Sequence, residues 1–286
     1  LARIYAHSAH HARLASLEKN DVKPWQQQSW CIPSVSPDYV YHMEDVLDMH
    51  ALLYDAQRPV VCFDESPYQL IGETRQPLPA EPGQPTRYDY EYQRNGTCNL
   101  FMAIQPLQQW RHVDVTERRT KLDMADQLRD LADVHFPEAE QIVLVIDNLN
   151  THTLSVVYEA YPAEEARRIA RKFEIHHTPK HGSWLNMAEI ELGIVTGQCL
   201  DRRLPDIASV RREVGAWEAT RNAEHATITW RFTTDKARET MKRVYPSHEQ
   251  EKLDIARQED TDYHQIAPRP SVVDQLVDEM ALIYLS

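Results

Sequence analysis

A run of five aliphatic residues, Ile142 to Ile146, ends on a carboxylate and small polar residues in the stretch QIVLVIDNLNTH (141–152). Such a run is apolar enough for a strand in the middle of a protein. Asp147 then has two interpretations. It either starts a turn where the strand leaves the core, or it is a catalytic group held at a rigid strand end. This stretch alone leaves both open.

The order of the other elements predicts an α/β fold. Strands come first and then alternate with helices, which is typical of a mixed sheet flanked by helices. We predict strands at 58–66, 97–106, 110–117, 141–147, 173–178 and 227–232. We predict helices at 39–54, 121–136, 162–172 and 205–223, one after Ser183 or Asn186 as its cap, and a last one after a Thr cap near 233.

A proline-rich segment, 73–96, separates the first two strands. Proline cannot continue a central strand, so the segment is predicted to be an extended loop or hairpin arm. At 24 residues it is too long for an idle connection.

Charge and composition exclude several classes of protein. A net charge of −13 argues against a simple nucleic-acid binder, although residues 247–286 alone hold nine acidic and three basic residues. No apolar run approaches the roughly 20 residues of a membrane span, and the first residues lack a signal-peptide core. The four cysteines are far apart with no CxxC pair, which argues against structural zinc and suits a reducing cytoplasm.

Three acids stand where predicted elements end or begin. Asp64 closes the strand VVCFDES, Asp147 closes IVLVID, and Glu189 lies in the first turns of the helix after HGSWLN. Singly, each is typical of a solvated end residue. Together they match phosphodiester cleavage by two divalent metals, in which carboxylates hold a pair of hard cations about 3.5–4 Å apart. Two aspartates and one glutamate suffice as protein ligands.

The motifs that surround these acids resemble the catalytic domain of a DDE transposase, of the bacterial insertion-sequence six-thirty family in the mariner-like superfamily. The resemblance runs from about residue 20 to about residue 246. The segments that carry it are DES (64–66), GETR (72–75), RYDYEYQRNGT (87–97), VIDNLNTHT (145–153), TPKHGSWLNMAEIELG (178–193) and WRFTTDKAR (230–238). It implies an RNase H-like fold, with a mixed sheet flanked by helices, and a carboxylate triad that binds two Mg²⁺ or Mn²⁺ ions.

The resemblance also implies a reaction and its residues. Asp64 and Asp147 match the first two acids of the family, and LNMAEIE matches the motif that carries the third, which favours Glu189 over Glu191. The two glutamates lie about 200° apart around a helix, so both cannot face the metals. The implied reaction is hydrolysis of DNA at transposon ends, followed by attack of the freed 3′-hydroxyl on target DNA. The implied setting is a homodimer acting on DNA in the bacterial cytoplasm, at the nucleoid.

Further residues are predicted to touch DNA through charge, stacking or a hydrogen bond. Two of them have alternatives that stay open, because Asn148 also suits a turn and Trp184 also suits a core. The set comprises Arg75, Arg87, Asn148, His152, Lys180, His181 and Trp184.

The chain departs from the family at both ends. We predict an N-terminal extension at 1–57, a remnant of the DNA-reading region, then the catalytic domain at 58–246, then an acidic linker with an amphipathic helix at 247–286. These departures keep two alternatives open. The protein could be a plain RNase H-like nuclease, or an inactive or truncated derivative that only binds DNA or protein.

Overall fold

A five-stranded mixed sheet forms the centre of the computed structural model, which describes residues 36–147, 153–242 and 245. The chain divides into two units, residues 1–33 and 34–286, and every described residue lies in the second. The amphipathic helix predicted near the C-terminus lies outside the described residues. Among the helices of the described ranges, none combines the length and the apolar character that crossing a bilayer requires.

The strands run in the order β3-β2-β1-β4-β5. They are β1 (Val60–Glu73), β2 (Tyr92–Gln105), β3 (Trp110–Thr116), β4 (Ile142–Ile146) and β5 (Phe173–His177). β2 pairs antiparallel with β1 and β3, whereas β4 pairs parallel with β1 and β5. Three antiparallel strands continued by two parallel ones, with helices on both faces, form the RNase H-like arrangement. The predicted fold class is therefore confirmed.

The helices alternate with the later strands, as predicted. They are α1 (Pro37–His50), α2 (Lys121–Asp130), α3 (Val156–Ala160), α4 (Ala163–Arg171), α5 (Met187–Val195), α6 (Ile207–Ala223) and α7 (Thr234–Thr240). Side chains of the residues before them cap most of them: Ser36, Thr120, Asn186, Asp206 and Thr233 each accept a hydrogen bond from the first turn.

Two hydrophobic cores lie on opposite faces of the sheet. Cys62 and Val145 belong to the core formed with α1, α5, α6 and α7. Phe63 and Ile146 belong to the core formed with α2, α3 and α4. Because both faces are covered, every residue of β4 is buried, which explains its uninterrupted aliphatic sequence. The helix α1 lies before the predicted domain boundary at residue 58, and its apolar residues are part of the first core.

The first strand is longer than the sequence predicted. β1 runs to Glu73 rather than ending at 66, because β2 pairs with it as far as Tyr92, with an irregularity between Gln69 and Ile71. Pairing of β1 with β4 stops at Cys62, so Pro67 lies where β1 is an edge on that side and its missing N–H is tolerated. The proline-rich segment continues this hairpin as an arm, with bridges such as Leu78 to Arg87.

The strand predicted at 227–232 is wrong. These residues have no regular secondary structure and lead directly into α7. Their alternating threonine and apolar residues have another cause, since Ile228, Trp230 and Phe232 pack side by side against the first core. The alternation therefore reflects one buried side of an extended chain and does not require a neighbouring strand.

Helix α6 covers the free edge of the sheet at β3. Glu218 accepts a hydrogen bond from the backbone N–H of Val113 at 2.8 Å, and Arg211 donates to the carbonyl of Val115 at 2.9 Å. Asn222 bonds both the N–H and the carbonyl of Arg111, at 3.0 and 2.9 Å. The backbone groups of residues 111, 113 and 115 point away from the sheet at its edge. Side chains of α6 therefore make the hydrogen bonds that a sixth strand would otherwise make.

We predict that Glu218→Ala combined with Asn222→Ala lowers stability and opens the β3 edge. Each backbone group left buried without a partner costs about 1–3 kcal/mol. Urea unfolding should show this loss, and sedimentation velocity should show new self-association. Arg212→Ala is the control, because Arg212 lies on the same helix and its side chain bonds only the neighbouring Glu213 among the described residues. A double variant that unfolds and sediments like Arg212→Ala would contradict the edge-covering role.

Candidate active site

The first two acids lie level with each other at the carboxyl end of the parallel strands. β1 and β4 are in a register that pairs Cys62 with Val145. Continued by two residues, this register sets Asp64 level with Asp147. Since side chains alternate along a strand, both acids share the face of Cys62 and Val145, which is the face covered by α5.

The predicted placement of Asp64 at the end of its strand is wrong. Asp64 lies inside β1, opposite Met102 of β2. What ends near Asp64 is the parallel pairing with β4, which stops at Cys62. The acid therefore lies at the end of the parallel part of the sheet while its backbone is still held by β2, which makes it more rigid than a residue in a turn.

Helix α5 brings the third acid to the same place. Asn186, which is fully buried, caps the helix by accepting a hydrogen bond from Ala188 N–H at 3.1 Å. Its side-chain amide donates to the carbonyl of Phe63 at 2.8 Å. Phe63 directly precedes Asp64, so one side chain ties the start of α5 to the strand that carries the first acid. Glu189 lies in the first turn of this helix.

A second contact fixes the chain just before α5. Burial lowers the pKa of His50 to about 4, so the ring is neutral at neutral pH. Its Nε2 lies 2.8 Å from the carbonyl oxygen of Leu185, which requires that Nε2 carries the proton and donates it. The end of α1 is thereby bound to the segment that enters the site.

The structure gives the two glutamates of α5 different surroundings. Glu191 is fully buried and lies between Arg111 and Arg221. Glu189 is half-buried, and its Oε2 is a buried oxygen with no hydrogen-bond partner in the described part of the chain. Of the two, Glu189 is thus the carboxylate whose oxygen is left for another ligand.

The acids act on each other electrostatically. Burial, and then the negative charges of Asp147, Glu65 and Glu189, raise the pKa of Asp64 to about 7, while a hydrogen bond from Glu65 N–H opposes the rise. Asp147 and Glu189 therefore both lie close enough to Asp64 for their charges to be felt. Glu65 itself lies 3.6 Å from Arg119.

A cluster of carboxylates that repel one another suits a hard divalent cation. The donors are all oxygens, which Mg²⁺ and Mn²⁺ prefer, and the unpartnered Oε2 of Glu189 is available as a ligand. Over residues 36–147, 153–242 and 245, no group of three or more His, Cys, Asp or Glu side chains already has metal-site geometry. The three acids are therefore near enough for the charges of Asp147 and Glu189 to act on Asp64, but they do not form a metal ligand set in the described part of the chain.

The other predicted residues fall in two places. Lys180 and His181 are exposed in the turn before α5, where His181 has a positive φ of 65°. Arg75 and Arg87 are exposed on the hairpin arm, and Arg75 pairs with Asp89 at 3.2 Å. The arm begins nine residues beyond Asp64 along β1, roughly 30 Å at the usual rise of a strand, so its arginines do not join the acids.

Trp184 packs on the edge of the first core. It is half-buried and lies edge-on to Phe232, with ring centroids 5.7 Å apart. Asn148 and His152 lie outside the described residues.

Sequence reasoning missed the residues that hold the site in place. Asn186 was expected only as a helix cap, and its bond to Phe63 joins residues 123 positions apart. The burial of Arg111 could have been predicted, because it alternates along β3 with Val113 and Val115 and shares their buried face. A cation at an inward position of a strand predicts a buried carboxylate partner.

Comparison with protein families gives one match. A family model described as DDE superfamily endonuclease matches residues 59–211, which is more than half of the chain. No curated protein matches the chain.

Solved structures similar to this chain include three of Mos1. A mariner paired-end complex with Mn is 17% identical, covers 75% of this chain and 66% of its own, and has a TM-score of 0.47. A strand transfer complex is 16% identical over 73% of this chain and 62% of its own, with a TM-score of 0.45. A transposase catalytic domain with Raltegravir and Mn is 12% identical, covers 67% of this chain and 85% of its own, and has a TM-score of 0.45. The match spans slightly less than two thirds of the first of these chains.

We predict that Asn186→Ala destabilises the fold by about 1–3 kcal/mol, because the cap and the donor to a buried carbonyl are both lost. Asn186→Asp separates the two contributions, since it keeps the acceptor for Ala188 but cannot donate to Phe63. Urea unfolding of both variants measures each loss. Ser183→Ala is the control, because Ser183 is exposed and caps no helix in the structure. If Asn186→Asp is as stable as the wild type, the bond to Phe63 is unimportant.

Proposed function

Because the chain belongs to the DDE superfamily endonucleases, we propose that it carries the catalytic domain of a bacterial DNA transposase of the insertion-sequence six-thirty family. The proposed activity is metal-dependent cleavage at transposon ends and strand transfer into target DNA. The observation that carries this proposal is the register of β1 against β4, which, continued by two residues, sets Asp64 level with Asp147. The position of Glu189 in the first turn of α5, and the effect of its charge and that of Asp147 on Asp64, support it.

In this proposal the three carboxylates would hold two Mg²⁺ or Mn²⁺ ions. When bound, divalent cations activate the attacking oxygen and stabilise the leaving oxygen of a phosphodiester. The protein contributes fixed anchor points. Asp64 is held between β2 and the end of the parallel sheet, Asp147 follows a buried strand, and Glu189 is set by the Asn186 cap.

The proposed reaction has two displacements at phosphorus. Water first attacks the scissile phosphate, so that a P–O bond to water forms and the bond to the 3′-oxygen breaks, leaving a 3′-hydroxyl. That hydroxyl then attacks a phosphate of target DNA, and one phosphodiester bond replaces another. The second step is a transesterification and needs no external energy source, so this one group of carboxylates suffices for both.

The proposed DNA contacts follow the exposed cations. Lys180 and His181 lie in the turn that leads into α5 and would meet the DNA backbone close to the reacting phosphate. Arg75 and Arg87 would contact DNA far from the reacting phosphate, or would contact a second copy of the chain in a homodimer. Asn148, His152 and Trp184 remain proposed contacts. In the proposed division, residues 58–246 carry the chemistry, with an N-terminal extension and an acidic tail on either side.

We predict that Asp147→Asn abolishes Mg²⁺-dependent nicking of DNA that carries the element's own ends. Loss of a carboxylate ligand removes several kcal/mol of transition-state stabilisation, so the rate should fall about 1000-fold or more. The amide keeps the shape of the side chain, and near-UV circular dichroism should be unchanged.

Glu140→Gln is the matched control, an exposed acid that precedes the same strand. Near-normal nicking by Asp147→Asn would remove this residue from the site. Adding unlabelled target DNA separates two activities: a transposase joins the nicked 3′ end to it, whereas a plain nuclease yields only cut products.

We also predict that Mg²⁺ or Mn²⁺ raises the melting temperature of the wild-type protein. The cation relieves repulsion among the carboxylates, and a ligand at 100 times its Kd adds about 2.7 kcal/mol of stability. Asp64→Asn should be more stable than the wild type without metal and should respond less to metal, because it removes one buried charge and one ligand. Differential scanning fluorimetry over a metal titration tests both points. An equal response of the two proteins would place the cation elsewhere.

A further inference from the structure

Glu191 lies at the centre of a buried cluster of charges on the far side of α5 from the metal-facing glutamate. Its side chain and that of Arg111 are both 0% exposed, and that of Arg221 is 14% exposed. Arg221 grips both carboxylate oxygens, with Nε 2.6 Å from Oε1 and a terminal nitrogen 3.2 Å from Oε2. Arg111 Nε lies 2.8 Å from Oε1, close in distance but not aligned as a hydrogen bond.

The three side chains come from three different elements. Arg111 belongs to β3, Glu191 to α5 and Arg221 to α6. Arg111 is itself fixed, because its guanidinium donates to Asn222 Oδ1 at 3.2 Å and to the carbonyl of Ala226. The cluster is therefore a rigid socket that receives one carboxylate from α5.

Apolar packing alone leaves the rotation of α5 about its axis poorly defined. The helix has nine residues, and apart from the two glutamates and a glycine they are apolar. Apolar contacts are not directional, whereas a buried carboxylate is tolerated only where its partners meet it. A rotation of about 20° would move a carboxylate near the helix surface by roughly 2 Å. Such a movement would take Glu191 out of its socket, so the socket fixes the rotation together with the bond from Asn186 to Phe63 at the helix start.

The same rotation sets the position of Glu189. The two glutamates lie on one rigid helix, about 200° apart around it. A 2 Å displacement exceeds what a metal ligand tolerates, since bond lengths to Mg²⁺ are confined to about 2.0–2.1 Å. We propose that Arg111 and Arg221, acting through Glu191, are positioning residues that aim Glu189 at the metal site. This inference rests on the metal-binding role proposed above for Glu189.

Arg221→Gln tests the idea because two physical effects predict opposite signs. Removing a positive charge near the carboxylates would by electrostatics alone tighten cation binding. Loosening the socket would weaken cation binding, as changes behind a ligand usually do, by about 10–100-fold. Arg221 is at the rim of the cluster, so its replacement perturbs folding less than replacement of Arg111.

The experiment is calorimetric titration of Mn²⁺ into the full chain, without DNA. We expect Arg221→Gln to raise the Kd for Mn²⁺ at least tenfold. Arg221→Lys keeps the charge but loses the bidentate contact with Glu191, and we expect it to raise the Kd by less. If Arg221→Gln fails to fold, Arg221→Lys carries the test alone: a raised Kd supports the proposal and an unchanged Kd overturns it.

Two controls separate positioning from general destabilisation. Arg168→Gln makes the same substitution at another carboxylate-paired arginine, which bonds Asp133 and Glu165 on the opposite side of the sheet. Ile169→Ala lowers the melting temperature from within the second core. Both should leave the Kd for Mn²⁺ unchanged, even when their loss of melting temperature equals that of Arg221→Gln.

The outcomes also separate this inference from the proposed function. Glu189→Gln is measured alongside. If it weakens Mn²⁺ binding while Arg221→Gln leaves the Kd unchanged or lowers it, the positioning role is overturned and the metal site stands. If Glu189→Gln has no effect on Mn²⁺ binding, the metal site and the positioning role are both overturned.

Discussion

The buried carboxylate of Glu191 is the point on which three elements of this fold depend. A charge with no exposure to water is stable in a protein only if its partners surround it, and here they come from β3 and α6. The edge strand, the helix that covers the edge and the helix that carries Glu189 must therefore assemble together. Apolar residues could fill the same space with equal or greater stability. A charged cluster in this position therefore favours a role in geometry over a role in stability.

Helix α6 serves both this cluster and the edge of the sheet. Arg221 faces α5, whereas Glu218 and Asn222, three residues before it and one after, face β3. Neighbouring residues on a helix point about 100° apart, so a single helix in the angle between an edge strand and a second helix can bond to both. Part of its inner side therefore meets backbone groups and charges as well as apolar side chains.

The sequence predicted the parts of the fold that arise from local patterns. The aliphatic run of β4, the spacing of α2 and the caps of α5 and α7 are visible in a few adjacent residues, and these elements formed where expected. The errors occurred where distant residues decide. β1 continues past Asp64 because β2 pairs with it, and residues 227–232 stay irregular because no strand lies beside them in the described structure.

The same distinction applies to the site. The three acids could be selected from strand ends, a helix start and family motifs, but the placement of Asp64 level with Asp147 depends on the register of β1 against β4, which local sequence does not contain. The bond from Asn186 to Phe63 and the arginines that surround Glu191 were missed for the same reason, since each of these contacts joins residues 30 or more positions apart. Arg111 is the exception, because its alternation with Val113 and Val115 along one strand predicts that it is buried with them.

At this site, rigid support is what keeps like charges close to one another despite their electrostatic repulsion. Burial first, and then the negative charges of its neighbours, disfavour the ionised form of Asp64 and raise its pKa to about 7. Mobile side chains would simply move apart, and the repulsion between them would vanish. Here Asp64 is held by β2, Asp147 follows a strand buried on both faces, and α5 is bound at its start by Asn186 and along its length by Glu191. The carboxylates are therefore held in place, and in the proposed function a divalent cation would relieve their repulsion on binding.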